Sequence, residues 1–323
     1  MPPMQYREAL KSAMREEMQR DERVFIMGEE VGVWGGSYAV TRGLYDEFGD
    51  KRVRDTPIAE SAIIGAAVGA AMGGLRPIAE LMTINFSLVA IDQIVNHAAK
   101  IHYMFGGQFK VPLVIRTPAG WGQLAATHSQ SFEAWYASLP GLVVAMPGTP
   151  YDAKGMLKNA IRSENPVMFI EHSRLYGVTG EVPDEEYTVP FGKSDVKRAG
   201  KDVTIVTYSR MLHVSLAAAE KLAAEGIECE IVDLRTLRPL DMEPVYESVR
   251  KTHRAIVVEE DWVTCGMGAE IAARVSKETF DYLDAPVERV GAIEVPLPYA
   301  KNLEALALPE EKTVMDAVKA MVA

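Results

Sequence analysis

The 323-residue sequence has only two cysteines, Cys229 and Cys265, and no long apolar run. Cysteines this far apart do not form a CxxC metal or redox pair, and disulfide-stabilised scaffolds use many more. No apolar segment approaches the roughly 20 residues that span a bilayer, and the first residues have no signal-peptide core. These absences predict a soluble protein without a membrane partner, kept in a reducing compartment that we expect to be the cytoplasm.

Positive charge is also scarce, with 34 Lys and Arg against 45 Asp and Glu, a net charge of −11. The sequence has no cluster of basic residues that could contact a phosphate backbone, so nucleic acid is not an expected partner. The sequence lacks a Walker phosphate loop, HExxH, GxSxG, and a GxGxxG opening an early helix. Hydride and phosphoryl transfer are therefore poorly supported. The Gly266-Met267-Gly268 turn could hold a phosphate, but such turns more often only connect a strand to a helix.

Apolar segments of strand length alternate with helical patterns along most of the chain. This alternation predicts an α/β fold with parallel sheets covered by helices on both faces. Between Ser173 and Lys201 the pattern gives way to Gly, Pro and acidic residues, which indicates a boundary. We therefore expect two three-layer domains, residues 1–185 and 200–323, with residues 173–200 as the linker region.

Three predicted helices have distinctive patterns. The first has one apolar stripe with a spacing of four residues, made of Tyr6, Leu10, Met14 and Met18. The second, over residues 62–74, has one face that is nearly bare backbone, made of Gly65, Gly69 and Gly73. Such a face permits close packing against a neighbouring helix. The third helix is predicted from about Ser87 to Met104.

Acidic residues stand at two places where ligands of α/β proteins bind. Glu29 and Glu30 directly follow a predicted strand, and Glu60 stands at the mouth of the glycine-containing helix. An acid in the first turn of a helix can simply complement the helix dipole, with Asp55 or Thr56 as the cap. The local sequence alone therefore leaves the role of Glu60 open.

Seven segments spread over the chain resemble the β subunits of thiamine-diphosphate-dependent 2-oxo acid dehydrogenases, above all those that act on pyruvate. They are GEEV at 28–31, DTPIAE at 55–60, GLRPIAELMTINF at 74–86, DQIVNHAAK at 92–100, HSQS at 128–131, DLRTLRP at 233–239 and PLPYAK at 296–301. The resemblance implies a transketolase-like pyrimidine-binding domain followed by a transketolase C-terminal domain. It also implies oxidative decarboxylation of pyruvate and reductive acetylation of the lipoyl group of a dihydrolipoyl acyltransferase.

The same resemblance implies roles for individual residues. Glu60 matches the glutamate that hydrogen-bonds a ring nitrogen of the cofactor's aminopyrimidine, a role that the carboxyl serves through its proton, so burial helps. Phe86 matches the aromatic residue that packs on that ring, although a Phe after a strand is more often core. Weaker matches around the ring are Glu29 as a polar support and, as apolar walls, Ile58 and Met82.

His128 matches a family histidine at the mouth of the site, suited to proton handling during transfer to the lipoyl group. Its simpler interpretation is a surface histidine with a capping role. The family also holds potassium mainly through backbone carbonyls, and the matching positions are Leu113, Ala160, Ile161, Ser163 and Asn165. An acidic residue can stand at the position of Ser163 in relatives, so the match there is less complete.

The sequence contains no Gly-Asp-Gly segment, which in this superfamily, with a later asparagine, holds the diphosphate and magnesium. The nearest string, Gly49-Asp50-Lys51, lacks the second glycine. We therefore expect an α subunit that carries this motif, in an α2β2 assembly. Acetoin or branched-chain 2-oxo acids remain alternative substrates. A non-catalytic subunit that docks the acyltransferase and a self-sufficient transketolase-type enzyme remain alternative functions.

Overall fold

The computed structural model describes residues 3–120 and 124–323. The chain divides into two compact units, the first from Met1–Ala119 and Trp135–Phe191, the second from Gly120–Ala134 and Gly192–Ala323. The segment Gly120–Ala134 thus groups with the second unit although the first surrounds it in sequence. No helix in the described part of the chain is long and apolar enough to cross a membrane.

The first unit contains a parallel sheet and its helices. In chain order its elements are β1 (Pro3–Gln5), α1 (Tyr6–Arg20), β2 (Val24–Gly28), α2 (Leu44–Phe48), β3 (Val53–Asp55), α3 (Glu60–Met72), β4 (Arg76–Glu80), α4 (Ile101–Met104), β5 (Val114–Ala119), α5 (Glu133–Ala137, which begins in the second unit), β6 (Val143–Ala145), α6 (Pro150–Arg162), β7 (Val167–His172) and β8 (Thr179–Glu181). Strands pair in parallel in the order β6-β7-β5-β4-β2-β3, and β1 pairs with β8 in antiparallel.

The predicted stripe of α1 forms part of the core of this unit. Its four side chains are buried, and they pack in one cluster with strand residues such as Ile26 and Ile78 and with Met156 and Leu157 of α6. Burial of side chains of this size contributes about 1.5–3 kcal/mol each. The stripe prediction is therefore confirmed, and the helix it defines covers one face of the sheet.

The helix predicted from Ser87 to Met104 is wrong. The chain instead forms a 3₁₀ turn over Ile84–Leu88, a π-helical turn over Gln93–Ala98 and the short α4. The amide of Ala99 donates to the carbonyl of Ile94 at 3.1 Å, five residues back, which widens the turn. An apolar pattern with helical spacing does not distinguish these three hydrogen-bond patterns.

The second unit also has a mainly parallel sheet. Its elements are β9 (Asp195–Arg198), β10 (Val203–Thr207), α7 (Arg210–Ala224), β11 (Cys229–Asp233), β12 (Thr236–Arg238), α8 (Glu243–Thr252), β13 (Ala255–Trp262), α9 (Met267–Glu278), β14 (Glu288–Ala292), α10 (Lys301–Ala307) and α11 (Glu311–Val322). The strand order is β14-β13-β10-β11-β9. Only β9, which lies in the predicted linker region, runs antiparallel among these five strands.

Side chains of β10 show how both faces of this sheet are covered. Val203 and Ile205 pack in a cluster with residues of α7 and α11. Thr204 points the other way, and its hydroxyl shares hydrogen bonds with Ser248 at 2.6 Å and Thr252 at 2.7 Å, both on α8. Successive residues of a strand face opposite sides of the sheet. The α/β prediction is therefore confirmed, with β9 as an antiparallel edge strand.

Candidate active site

The topology of the first unit brings most of the predicted site residues to one edge. Strands β4, β2 and β3 are neighbours and parallel, so their carboxyl ends meet at the same edge of the sheet, where α/β proteins bind ligands. Three short chain segments leave these ends. They carry Glu29 after β2, Ile58 and Glu60 after β3, and Met82 and Phe86 after β4.

Glu60 is the first residue of α3 and is buried, with 6% of its surface exposed. The N-cap is Ala59, without a side-chain cap, so the expectation that Asp55 or Thr56 caps this helix is wrong. Asp55 instead accepts a hydrogen bond from the amide of Gly32 at 2.6 Å. A carboxyl group at the positive end of a helix is favoured by the dipole, but that interaction does not require burial.

Glu29 is a second buried carboxyl at this edge, with 5% of its surface exposed. Within the part of the chain that the structure describes, its Oε1 has no hydrogen-bond partner. Burial raises the pKa of Glu29, and the negative charges of Glu60, Glu80 and Glu30 raise it further. A buried polar atom without a protein partner is where the donor of a ligand is expected.

Apolar side chains accompany these two acids. Phe86 and Met82 are half-buried, Phe86 on the 3₁₀ turn that follows β4. Ile58 is 79% exposed and Val89 60% exposed, although both are large apolar residues. Apolar walls with a few convergent polar groups are typical of small-molecule sites. The set suits a flat, partly polar ring better than a phosphate or a metal ion.

A buried ion-pair network, which the sequence analysis missed, lies beneath the same edge. Arg116 on β5 contacts Glu80 at the end of β4 and Glu171 on β7, with its Nη2 donating to Glu171 Oε2 at 3.0 Å. The hydroxyl of Tyr176 donates to the same oxygen at 2.7 Å. The available signal was charge inside apolar strands, in the strings LVIRT and MFIEH, because buried charges in strands require partners.

His128 belongs to the second compact unit, whereas the other five predicted site residues belong to the first. Its imidazole is exposed, with Nδ1 2.8 Å from the hydroxyl oxygen of Thr127. The backbone amide donates to the carbonyl of Ala125 at 3.2 Å, which closes a turn in which Ala125 has a positive φ. The imidazole is thus presented on a local turn.

Comparison with known proteins identifies the family. Residues 2–179 match the transketolase pyrimidine-binding domain and residues 192–314 match the transketolase C-terminal domain. The chain is 53% identical over 314 residues to the pyruvate dehydrogenase E1 component subunit beta of Rickettsia felis, covering 97% of this chain and 96% of the relative. It belongs to the family of pyruvate dehydrogenase E1 component β subunits.

Eukaryotic members of this E1 β family and a solved structure give the same result. The chain is 52% identical over 322 residues to the mitochondrial β subunit of Caenorhabditis elegans, covering 98% of this chain and 92% of the relative. The structural match is described as a split gene transketolase, inactive beta4 tetramer. Its TM-score is 0.78 at 26% identity, over 98% of this chain and 97% of the other. The predicted transketolase-like architecture is therefore confirmed.

The positions expected to hold potassium in this E1 β family lie in the first unit, around the end of α6. All five carbonyl oxygens accept a protein hydrogen bond. Leu113 accepts from the amide of Val167, Ala160 from the amide of Ser163, and Asn165 from the hydroxyl of Ser163.

The other two carbonyls accept from a cation of the chain itself. Arg76 Nη1 donates to the carbonyl of Ile161 at 2.9 Å and to that of Ser163 at 3.0 Å. A carbonyl oxygen has two lone pairs, so a cation could still share these atoms. It would then stand beside a like charge, which at 4 Å and an effective dielectric of 20 costs about 4 kcal/mol.

Side-chain ligands for a divalent metal ion are not assembled in residues 3–120 and 124–323. In these residues no group of three or more His, Cys, Asp or Glu side chains is arranged to hold a metal ion. The fit of a cofactor to this sheet edge therefore rests on the two buried carboxyls and the apolar side chains beside them.

Proposed function

We propose that this chain is the β subunit of an acetyl-transferring pyruvate dehydrogenase, acting in thiamine-diphosphate-dependent oxidative decarboxylation of pyruvate. The observation that supports this best is the pair of buried carboxyls, Glu29 and Glu60, at the sheet edge that carries Phe86 and Met82. Thiamine diphosphate, when bound, supplies the electron sink that departure of carbon dioxide from a 2-oxo acid requires. The acetyl group would pass to the lipoyl group of the dihydrolipoyl acyltransferase.

Each residue at the edge has a proposed task. Glu60 holds a proton against a ring nitrogen of the aminopyrimidine, and its burial keeps water from competing for that proton. Glu29 supports the polar rim of the same ring through its unpartnered Oε1. Phe86 packs on the face of the ring, and Ile58 and Met82 form apolar walls. His128 handles a proton during transfer to the lipoyl group.

We propose that an α subunit completes the site, in an α2β2 assembly. This chain lacks the Gly-Asp-Gly segment, so diphosphate and magnesium need a second chain. The structurally similar split-gene transketolase chain is described as inactive in its β4 tetramer, which suits a half that does not act alone. In the proposed domain division, residues 1–185 bind the pyrimidine, residues 173–200 link, and residues 200–323 form the C-terminal domain.

The glycine face of α3 is the proposed seam for subunit packing. A Cβ atom added at Gly69 would meet nothing within 4 Å in this chain, whereas one at Gly65 would meet the side chain of Gln93. The exposed backbone around Gly69 is therefore open to a neighbouring helix. Potassium is proposed to bind only weakly at Leu113, Ala160, Ile161, Ser163 and Asn165, because Arg76 already donates to two of these carbonyls.

The decisive experiment replaces Glu60 in the complex reconstituted with the α subunit. Glu60→Gln keeps the shape but cannot hold a proton as an acid, so we expect turnover of pyruvate to fall by about 10²–10⁴-fold, the usual range for acid–base groups. Glu30→Gln is the matched control, because Glu30 is adjacent in sequence to Glu29 but exposed. Size-exclusion chromatography establishes that both variants assemble.

Full activity of Glu60→Gln in an intact complex would contradict the proposal and favour a non-catalytic subunit that docks the acyltransferase. Calorimetry on the isolated chain with thiamine diphosphate and magnesium tests the third possibility, a self-sufficient enzyme. We expect little or no binding, whereas tight binding would indicate a self-sufficient transketolase-type enzyme. Assays with pyruvate, acetoin and branched-chain 2-oxo acids then identify the substrate.

A further inference from the structure

The second unit contains a buried acid that the proposed function does not use. Glu133 is the first residue of α5 and lies at the end of Gly120–Ala134, the segment that groups with the second unit. Only 1% of its surface is exposed. It stands five residues after His128, so its placement constrains where the histidine turn lies.

Glu133 belongs to a chain of hydrogen-bonding groups. The hydroxyl of Tyr208, which follows β10, lies 3.2 Å from Glu133 Oε1 and 3.3 Å from Glu259 Oε2 on β13. The amide of Gly268 donates to Glu259 Oε2 at 2.9 Å. All three side chains are buried. This bond also explains the Gly266-Met267-Gly268 turn, whose amide serves a protein carboxyl in place of a phosphate.

Counting protons argues against a chain of two carboxylates and a phenol. A phenolic hydroxyl has one proton to donate and otherwise accepts, so Tyr208 can make a full donated bond to only one of its two carboxyl neighbours. A full hydrogen bond with the other requires that this carboxyl donates to Tyr208 and is protonated. Glu133 Oε2 and Glu259 Oε1 have no partner in the described part of the chain, which makes two buried negative charges here still more costly.

The surrounding charges do not neutralise the pair. Glu260 and Asp261 on β13 add negative charge, and Glu294 adds to that of Asp261. Two cations lie near, of which Arg210 pairs with Glu260 at 2.8 Å and Arg289 acts on Glu259. Burial, followed by the charge of Asp261, holds the pKa of Glu133 well above its ordinary value, and burial raises the pKa of Glu259 to about 7.

The segment that carries Glu133 has its own internal bonds. The amide of Gly120 donates to the carbonyl of Gln130 at 3.0 Å, and Gln130 Nε2 donates to the carbonyl of Ala126 at 2.7 Å. Ser129, Gln130 and Ser131 line a small cavity together with residues of β13. Residues 124–134 are therefore held by bonds of their own within the second unit, and Glu133 lies at their end.

We propose that Glu133 is a positioning residue that fastens the His128 turn to the second unit through the protonated chain Glu133–Tyr208–Glu259, and that loss of the proton with rising pH releases the turn. Loss of the shared proton places two negative charges on the same phenol in a buried site, and withdrawal of residues 124–134 would separate them. The consequence for catalysis rests on the role proposed above for His128, but the anchor itself does not.

Hydrogen–deuterium exchange on the full chain tests the anchor without any activity measurement. A carboxyl whose pKa is raised by folding stabilises its contacts fully at low pH and loses that effect as pH rises through the folded-state value. After correction for intrinsic chemistry, exchange of amides in 124–134 should therefore rise with pH from about 4.5, the ordinary carboxyl value, by up to about tenfold per pH unit, and level off once the shared proton is lost, while amides of β10 should not follow.

Three variants make the test specific. Glu133→Gln imitates the protonated acid and cannot ionise, so we expect a flat profile with protection retained. Tyr208→Phe breaks the middle of the chain, so 124–134 should exchange faster at every pH. Glu220→Gln, on the exposed face of α7, should follow the wild type. A wild-type profile without extra pH dependence, or Glu133→Gln tracking the wild type, would overturn the anchor.

Activity of the reconstituted complex then tests the link to His128. Glu133→Gln should extend the alkaline limb of the pH–rate profile without loss at lower pH. A flat exchange profile together with an unchanged pH–rate profile would support the anchor and count against the role proposed for His128.

Discussion

The two units both bury acidic side chains beside the ends of their parallel strands, but they stabilise them by different means. In the first unit Arg116 lies between Glu80 and Glu171, so a guanidinium supplies the compensating charge. In the second, Glu133 and Glu259 share the hydroxyl of Tyr208, and protons must take the place of a cation. The first arrangement carries its own cation, whereas the second depends on bound protons.

The difference suits what each region is proposed to do. The ion pair beneath the first site holds Glu80 in place beside Glu29 and Glu60, the proposed cofactor-binding acids. A proton-dependent chain in the second unit can release what it holds. Arg116 stays charged at any relevant pH, and the carboxyl groups raise its pKa further.

Removal of the guanidinium should give the largest effect. Arg116→Met leaves Glu80 and Glu171 buried without a cation, and breaking a buried pair in this way costs about 3–5 kcal/mol. Urea unfolding of the isolated chain measures the loss. The double variant Arg116→Met with Glu171→Gln should recover part of it, because one unpaired charge is removed. A loss below about 1 kcal/mol for Arg116→Met would mean that the network is not stabilising.

Removal of one acid of the Glu133–Glu259 pair in the second unit should change the unfolding free energy by less, and by an amount that depends on pH. The pKa of Glu259 rises to about 7 on folding from an ordinary value of 4.5. Its contribution is therefore complete below about pH 4.5 and is lost as pH rises through 7, a change of at most about 3 kcal/mol. Glu259→Gln should flatten the decline in unfolding free energy between about pH 4.5 and 7, measured in urea.

Arg116→Lys is the contrasting variant for that series, since both residues stay charged over this pH range. Its pH profile should run parallel to the wild type, offset by the lost bidentate geometry. Equal slopes for Glu259→Gln and the wild type would remove the distinction between the two units.

The sequence predicted the parallel strands of both units but not the partners of their buried charges. Parallel strands were predictable because strands buried on both faces, such as β5 and β7, are continuous apolar runs. Their charged members were visible, but their partners were not, since Arg116 meets Glu80 and Glu171 across sequence separations of 36 and 55 residues. Strand neighbours decide such contacts, and a single sequence does not specify them.

The site was predictable to a different degree in its two parts. Glu29, Ile58, Glu60, Met82 and Phe86 come to one sheet edge, as the motif matches implied, because each follows one of three adjacent parallel strands. The assignment of segment Gly120–Ala134 to the second unit had no local signal. A buried contact of Glu133 with Tyr208, 75 residues away in sequence, accompanies that assignment, and a glutamate at the start of a helix does not predict it.

A Cβ atom added at Gly268, beside Glu259, should lower the stability of the second unit by less than the variants above. A Cβ atom on Gly268 would overlap Glu259 Oε1, so Gly268→Ala forces that carboxyl away from the amide and should cost about 1–3 kcal/mol. Gly69→Ala is the control, because its Cβ would meet nothing within 4 Å and alanine favours a helix. Thermal unfolding of both variants should give opposite signs; equal melting temperatures would show that Glu259 moves freely.

The smallest expected effect is the change in thermal stability caused by potassium, which competes with the guanidinium of Arg76 for the same carbonyl oxygens. Arg76 Nη1 already donates to the carbonyls of Ile161 and Ser163, so we expect potassium to bind only weakly. With a dissociation constant of about 0.1 M, stabilisation by about 0.1 M potassium would be about 0.4 kcal/mol. Replacing choline chloride with potassium chloride at constant ionic strength should therefore barely change the melting temperature.

Arg76→Met frees both carbonyls, so the same salt exchange should stabilise that variant more than the wild type, even though the variant loses the ion pair of Arg76 with Glu164 and is less stable overall. The comparison is made within each protein, between the two salts, so the lost ion pair cancels. Saturable stabilisation of the wild type at millimolar potassium would instead mean that the guanidinium and the metal ion share the carbonyls. The first unit would then bind potassium tightly at the same carbonyls to which Arg76 donates, although in this unit Arg116 is the cation that pairs with buried carboxyl groups.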